Sequence, residues 1–206
     1  MITEKAYAKI NLTLSVGEKR EDGYHEIDSV MHSISLCDEV TLTEAGGISL
    51  SIKEGLAPGG KANLMWEAAE LFFRETGFSG GVHMELVKQI PSEAGMGGGS
   101  SDAATCLIAL NRLWNIHKKR NELLTLAVPL GADVPFFIFG ETAFAQGVGE
   151  VLAPVVIDDF EGAVVFPGAS VPTAEVFKSP NLTRDSDSIR ITNSSSAALL
   201  RLPLDF

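Results

Sequence analysis

Three consecutive glycines, Gly97, Gly98 and Gly99, run directly into Ser100, Ser101 and Asp102, a combination able to hold a phosphate. Without a Cβ, glycine backbone can take positive φ and approach a ligand closely. A helix opening at the serines would leave several amide N–H groups without intrahelical partners, and the positive end of its dipole would face the same point. Both favour an anion there. A serine-capped turn that binds nothing has the same composition, so the run alone leaves two readings open. Two isolated polar residues are further candidates. Lys9 lies in an alternating segment on the face away from Ala8, Ile10, Leu12 and Leu14; it is either a solvated lysine or a cation aimed at a site. Asp133 stands between Gly131-Ala132 and the apolar Val134, Pro135, Phe136 and Phe137. A carboxylate without a partner is costly there, so it reads as an Asx turn, a helix cap or a functional base.

A phosphate-holding turn, a cation and a carboxylate are the set that phosphoryl transfer requires. The donor's phosphates must be held, the acceptor hydroxyl must lose its proton, and charge on the transferring group must be offset. The turn lacks the lysine of a Walker motif and the chain has no protein-kinase signature. A kinase built this way must bring its lysine from elsewhere in the chain.

The elements that would position these residues follow from periodicity and punctuation. Residues 4–16 alternate as a strand and carry Lys9 and Asn11. A charged loop then ends in Gly23, Tyr24 and His25. Residues 27–36 and 39–43 read as two strands meeting at Cys37 and Asp38, with a third over 48–52. Asn63 can cap a helix over 64–76 that stops at Gly77. A strand over 82–88 delivers the chain to the glycine turn. Residues 103–114 continue as a helix that is apolar around much of its circumference, so packing fixes its start. A short helix over 121–128 stops at Pro129, and strands are expected at 142–145 and 151–157. A boundary near 158–162 separates a first domain, residues 1–157, from a second, residues 158–206. In the second, a strand over 163–166, a helical turn over 173–177, a polar loop over 178–193 and a helix over 194–202 are expected.

Composition narrows the function classes. The chain has 206 residues, 45% of them apolar and 21% charged, enough for one large domain or two small ones. A net charge of −11 argues against wrapping nucleic acid or lying on an anionic membrane. It does not exclude one nucleotide held by a local cradle of N–H groups. Cys37 and Cys106 make no disulfide framework, and Cys106 reads as a small core residue. Reduced cysteines and the lack of a signal peptide suit the cytoplasm, and no run of 18 apolar residues exists to span a membrane.

The run PSEAGMGGGSSDAA at residues 91–104 resembles the central motif of the GHMP kinase superfamily. Three further stretches, AKINL at 8–12, REDGYHE at 20–26 and GADVPFF at 131–137, resemble one branch of it. That branch phosphorylates a cytidine-diphosphate-linked methylerythritol in non-mevalonate isoprenoid synthesis. PNLTR at 180–184 adds a weaker match. The resemblance implies an α+β GHMP kinase fold. Its N-terminal α/β domain would be like domain 2 of ribosomal protein S5, and a C-terminal α+β domain would follow. It implies ATP and Mg²⁺ as cofactors and transfer to the 2-hydroxyl of the erythritol moiety. Asp133 would take the hydroxyl proton, with Lys9 beside it holding the carboxylate in its charged form and offsetting developing charge. Pro91, Ser92, Glu93, Ala94, Gly95, Met96, Gly97, Gly98, Gly99, Ser100 and Ser101 would wrap the ATP phosphates. Ser100 or Ser101 would lie near Mg²⁺, with no firm metal ligand beyond them. Asn11 would support Lys9 or the substrate, and Tyr24 and His25 would lie against the cytidine. His25 also reads as a hydrogen-bonded loop histidine. Lys61 and Asn63 would border the nucleotide pocket, although capping is the preferred role for Asn63.

The implied partner is a small-molecule substrate with a cytidine diphosphate group, not nucleic acid or membrane, bound by a monomer or weak homodimer. Two departures stand out. Glu141 occupies a position where the family commonly has a second glycine after Gly140. The third glycine-rich motif of the family is missing, so the C-terminal domain is expected to be incomplete and the chain truncated. Two alternatives remain: another GHMP small-molecule kinase, acting on mevalonate, homoserine or a sugar, or a non-catalytic nucleotide-binding fragment. The segment Gly23, Tyr24, His25 separates the first of these, because such kinases have no cytidine to recognise.

Overall fold

Alternating apolar and polar residues near the start of the chain form two long antiparallel strands, β1 (Ile2–Lys19) and β2 (His25–Ala45). These and all further elements come from a computed structural model that describes residues 1–158, 160–166 and 168. β3 (Ser49–Glu54) and β4 (Gly81–Val87) pair in parallel around the intervening helix α1 (Leu64–Thr76). β5 (Ala143–Gln146) and β6 (Val151–Pro154) complete a six-stranded sheet in the order β3-β4-β2-β5-β6, with β1 on the remaining edge of β2. β2 organises this sheet. Its residues 29–31 pair with β5 and its residues 39–45 with β4, while β1 runs along its other side.

The expected turn at Cys37 and Asp38 does not occur, and β2 runs through it. Asp38 is fully buried, and its Oδ1 accepts the backbone N–H groups of Gln89 at 2.6 Å and Ile90 at 2.8 Å. Its other oxygen takes the Lys88 ammonium. A carboxylate satisfied this fully is stable inside a strand, and no glycine or proline was present to demand a turn.

Helices cover one face of the sheet. α1 is capped as expected: Asn63 Oδ1 accepts the Met65 N–H at 2.9 Å, and Gly77 closes the other end at φ 66°. Met65, Ala68, Ala69, Leu71 and Phe72 pack with Leu42, Met84 and Leu86 of the sheet and with Leu107 and Leu110 of α2 (Gly98–Leu113). Burial of each of the larger side chains contributes about 1.5–3 kcal/mol. Cys106 lies in this core, where burial pushes its thiol pKa up. α3 (Arg120–Ala127) passes through a 3-10 turn containing Pro129 to α4 (Val134–Phe139), which ends at Gly140, φ 72°. Glu141 has a partner: it accepts from both terminal nitrogens of Arg120 at 3.2 Å. The guanidinium also lies 4.9 Å from the Phe139 ring centroid.

Residues 163–166 form no strand. Val164 and Val165 are 52% and 85% exposed, and no described strand offers them a free edge they occupy. β6 ends at Pro154, short of the expected residue 157. The elements expected over 173–177, 178–193 and 194–202 lie outside the described residues. No described helix is long and apolar enough to cross a membrane.

Candidate active site

The glycine run is the start of a helix rather than a turn before one. α2 begins at Gly98, and Gly97 takes the N-cap position in the left-handed region at φ 67°. Ser100, Ser101 and Asp102, expected to open the helix, already lie within its first turns; the Ser101 N–H donates to the Gly97 carbonyl at 2.8 Å. No side chain of the described residues caps this end. The early amides of a 16-residue helix therefore face outward with their dipole uncompensated. A Cβ on Gly97 would stand 2.9 Å from the Phe137 ring and 3.2 Å from Lys9 Cγ, so the loop, α4 and β1 converge at this glycine. At Gly99 nothing among the described residues lies within 4 Å of such a Cβ. The backbone there is open to a ligand, which suits the implied nucleotide phosphates.

β1 brings Lys9 to the same place. Between Tyr7 and Lys9 the β1–β2 register shifts, which breaks the alternation expected for the strand. Ala8 and Lys9 are both buried, Lys9 to 6% exposure, while Leu14, expected on the apolar face, is 51% exposed. The Lys9 N–H donates to the Met96 carbonyl at 3.0 Å. Met96 packs with Ala8 and Ile90, so the loop is anchored to β1 by both backbone and side chain. Glu93 and Gly95 take positive φ, 55° and 73°, and fold the intervening chain back over this anchor.

Asp133 occupies the N-cap position of α4 but makes no capping hydrogen bond. Its Oδ2 lies 3.6 Å from Lys9 Nζ, and the carboxylate is half-buried. Capping is therefore not what places it there. Lys9 Nζ also donates to Asn11 Oδ1 at 2.6 Å.

Tyr24 and His25 lie at the far end of the β1–β2 ribbon from Lys9. His25 pairs with Lys19, ten positions along β1 from Lys9, which is at most about 33 Å at the rise of a strand. Two register shifts within that interval bend the ribbon and shorten the span. Tyr24 is 60% exposed at the tip of the loop, whose backbone closes through Arg20 N–H to Tyr24 O at 2.7 Å and Gly23 N–H to Arg20 O at 3.1 Å. Of the two candidate serines, Ser100 is half-buried and Ser101 is buried. Among the described residues no group of three or more His, Cys, Asp or Glu side chains could hold a metal ion. The donor set fits a cation held chiefly by nucleotide phosphates, with Ser100 the nearer of the two serines to solvent.

Sequence reasoning missed three features. Beneath the helix start, Lys88 binds both Asp38 and Asp102, the latter at 2.7 Å, with all three side chains at most 6% exposed. Burial, opposed by Lys88 and reinforced by Asp38, pushes the Asp102 pKa up to about 7. Ser29, wholly buried, accepts from Asn11. Phe137 forms the wall against Gly97. No local signal marks the first of these, because Asp38 and Lys88 stand 50 residues apart in the chain.

The description "GHMP kinases N terminal domain" matches residues 63–141. The 4-diphosphocytidyl-2-C-methyl-D-erythritol kinase of Burkholderia thailandensis is 46% identical over 190 residues, 91% of this chain and 64% of that protein. The protein of the same name from Methylococcus capsulatus is 43% identical over 190 residues, 91% of this chain and 65% of its own length. The chain thus spans a little under two thirds of these relatives. A crystal structure of 4-(cytidine 5'-diphospho)-2C-methyl-D-erythritol kinase superposes with a TM-score of 0.70 at 40% identity, covering 86% of this chain and 63% of the other. Mevalonate kinase of Methanococcus jannaschii shares the fold at 14% identity, with a TM-score of 0.56. The chain has the GHMP kinase N-terminal fold and is a homologue of the 4-diphosphocytidyl-2-C-methyl-D-erythritol kinases within the GHMP kinase superfamily.

Proposed function

We propose that the protein transfers the γ-phosphoryl group of ATP to the 2-hydroxyl of 4-diphosphocytidyl-2-C-methyl-D-erythritol. The observation that carries this reading is the meeting of Lys9, Asp133 and the uncapped start of α2 around Gly97. The amides of the first turn of α2 and the loop from Pro91 to Ser101 hold the phosphates. Asp133 accepts the proton of the acceptor hydroxyl, and the Lys9 ammonium offsets charge as it develops between acceptor and phosphoryl group. Mg²⁺, bound with the nucleotide, would neutralise the phosphate oxygens, with Ser100 beside it. Residues 1–157 form the nucleotide-binding domain in this reading, and residues from 158 onward begin a second one. Tyr24, exposed at its loop tip, offers a ring for the cytosine base to stack on, with His25 beside it.

Full-length protein incubated with ATP, Mg²⁺ and the diphosphocytidyl alcohol is expected to release ADP and yield a product phosphorylated at the 2-hydroxyl, identified by phosphorus NMR. CMP is expected to compete with the acceptor. Turnover indifferent to CMP would remove the cytidine from the assignment, and phosphorylation of mevalonate or homoserine in its place would move the protein to another branch of the superfamily.

A further inference from the structure

Between Asn11 and Thr13 the register of β1 against β2 slips by one: Asn11 faces Met31, yet Thr13 faces Val30. Leu12 is the extra residue of a bulge, which takes backbone groups off the ladder. Side chains replace what is lost. The Ser29 hydroxyl donates to the Thr13 carbonyl at 2.7 Å, and the Val30 N–H donates to Thr13 Oγ1 at 3.0 Å. A carbonyl only accepts, so the single Ser29 proton is committed to it and Ser29 Oγ is left to accept. It accepts from Asn11 Nδ2 at 2.6 Å, which turns Asn11 Oδ1 toward Lys9 Nζ, also at 2.6 Å. The chain of donors is thus fixed in one direction, from an ammonium that only donates to a carbonyl that only accepts.

The consequence falls on the spacing between Lys9 and Asp133. Lys9 Nζ hydrogen-bonds Asn11 and stays 3.6 Å from Asp133 Oδ2, close enough for charge attraction but too far for a good hydrogen bond. We propose that Ser29 is a positioning residue for phosphoryl transfer: through Asn11 it holds Lys9 back from Asp133, leaving the carboxylate's lone pairs to the acceptor hydroxyl. The inference rests on the roles given above to Lys9 and Asp133. With Ser29 shortened, the Asn11 amide loses its anchor and Lys9 swings into a direct bond with the carboxylate.

The test uses Ser29→Ala, Ser29→Thr, Asn11→Asp and the Ser29→Ala/Asn11→Asp double variant of the full-length protein. Ser29→Ala is expected to lower kcat about tenfold, roughly the worth of one part-buried hydrogen bond, with KM for ATP unchanged. Ser29→Thr keeps the hydroxyl and restores kcat. Asn11→Asp presents an acceptor to Ser29 Oγ in place of a donor, so in that background Ser29→Ala leaves kcat unchanged or raises it. Equal losses from Ser29→Ala in both backgrounds, or no loss in the wild-type background, overturn the proposal. Crystal structures give a readout independent of the acceptor. Lys9 Nζ within hydrogen-bond distance of Asp133 in Ser29→Ala supports the proposal, and Lys9 unmoved overturns it. A wild type that ignores the diphosphocytidyl alcohol would unseat the substrate assignment, while the crystal structures would still decide the role of Ser29.

Discussion

The backbone N–H of Lys9 donates to the carbonyl of Met96 over 3.0 Å. Through this bond the strand that carries the cation and the loop that would carry the nucleotide form one unit, with Met96 locked between Ala8 and Ile90. The two halves are tied together, so the distance between the proposed phosphate cradle and the lysine is held by β1. Gly97 lies at the same junction, flanked by Phe137 and Lys9.

The two ends of the glycine run should therefore respond differently to one added methyl group. Gly97→Ala places a side chain at φ 67°, against Phe137 and Lys9. It is expected to lower stability by about 1 kcal/mol or more and to weaken ATP binding. Gly99→Ala meets no atom of the described residues within 4 Å and lies in helix. It is expected to hold or raise the melting temperature, because alanine is favoured over glycine in a helix by up to about 1 kcal/mol. Its ATP affinity should still fall, since the proposed cradle brings the nucleotide phosphates to that position. Thermal unfolding paired with titration of a non-hydrolysable ATP analogue separates the two effects, and undiminished affinity in Gly99→Ala would contradict the cradle.

Asp133→Asn removes the proposed proton acceptor and keeps the shape of the side chain. Because Asp133 makes no capping hydrogen bond, α4 should not depend on its charge. The variant is expected to lose about 100- to 10,000-fold in kcat, the range for general-base groups, and to bind the ATP analogue as the wild type does. Steady-state kinetics with a binding titration reads both. Turnover equal to that of the wild type would remove Asp133 from the chemistry.

The division between what the sequence disclosed and what it withheld is physical. α1 was readable to the residue because its signals are local: Asn63 caps it and Gly77 ends it in the left-handed region. Lys9 and Asp133 were readable as candidates because each violates its surroundings, a polar side chain on a strand and a carboxylate beside a phenylalanine run. Their proximity came only from the family resemblance, because no pattern of period two encodes the register shift between Tyr7 and Lys9. Asp38 was misread as a turn for a similar reason. Its partners, Lys88 and the amides of Gln89 and Ile90, are some fifty residues distant, and a local reading sees only an acidic residue between two apolar runs. Ser29 gave no signal at all, since a strand serine acquires a role only once the bulge at Leu12 leaves the Thr13 carbonyl for it.

Asn63 tests whether a residue at the edge of the expected nucleotide pocket is structural. Its Oδ1 accepts from Met65 N–H and its Nδ2 donates to the Pro58 carbonyl, each at 2.9 Å. With both ends of the amide engaged and the residue only 6% exposed, its contacts are those of a structural cap. Asn63→Ala is expected to lower stability by about 1–2 kcal/mol, the worth of a helix N-cap in a protein. ATP affinity should be unchanged. Urea unfolding with the analogue titration checks this, and a loss of affinity at unchanged stability would return Asn63 to the pocket.

Asp102 and the buried Lys88 and Asp38 beside it give the fold a pH dependence. Burial raises the Asp102 carboxyl to about 7, against the pull of Lys88 and with the help of Asp38, and its buried Oδ1 has no hydrogen-bond partner among the described residues. In the unfolded chain the same group ionises near the ordinary carboxylate value of about 4. Between these limits the folded state holds a proton that the unfolded state has released, so unfolding free energy decreases as pH rises. The contribution is fully present below about pH 4, is lost progressively up to about pH 7 and changes little above that. At about 1.36 kcal/mol per pH unit, it amounts to a few kcal/mol at most. Asp102→Asn keeps an oxygen for Lys88 but cannot titrate. Its unfolding free energy is therefore expected to lose most of the decline between pH 5 and 7 and to equal or exceed that of the wild type at pH 8. Urea melts at half-unit pH intervals measure this. An unaltered pH profile in Asp102→Asn would place the ionisation on another group of the buried Lys88 cluster.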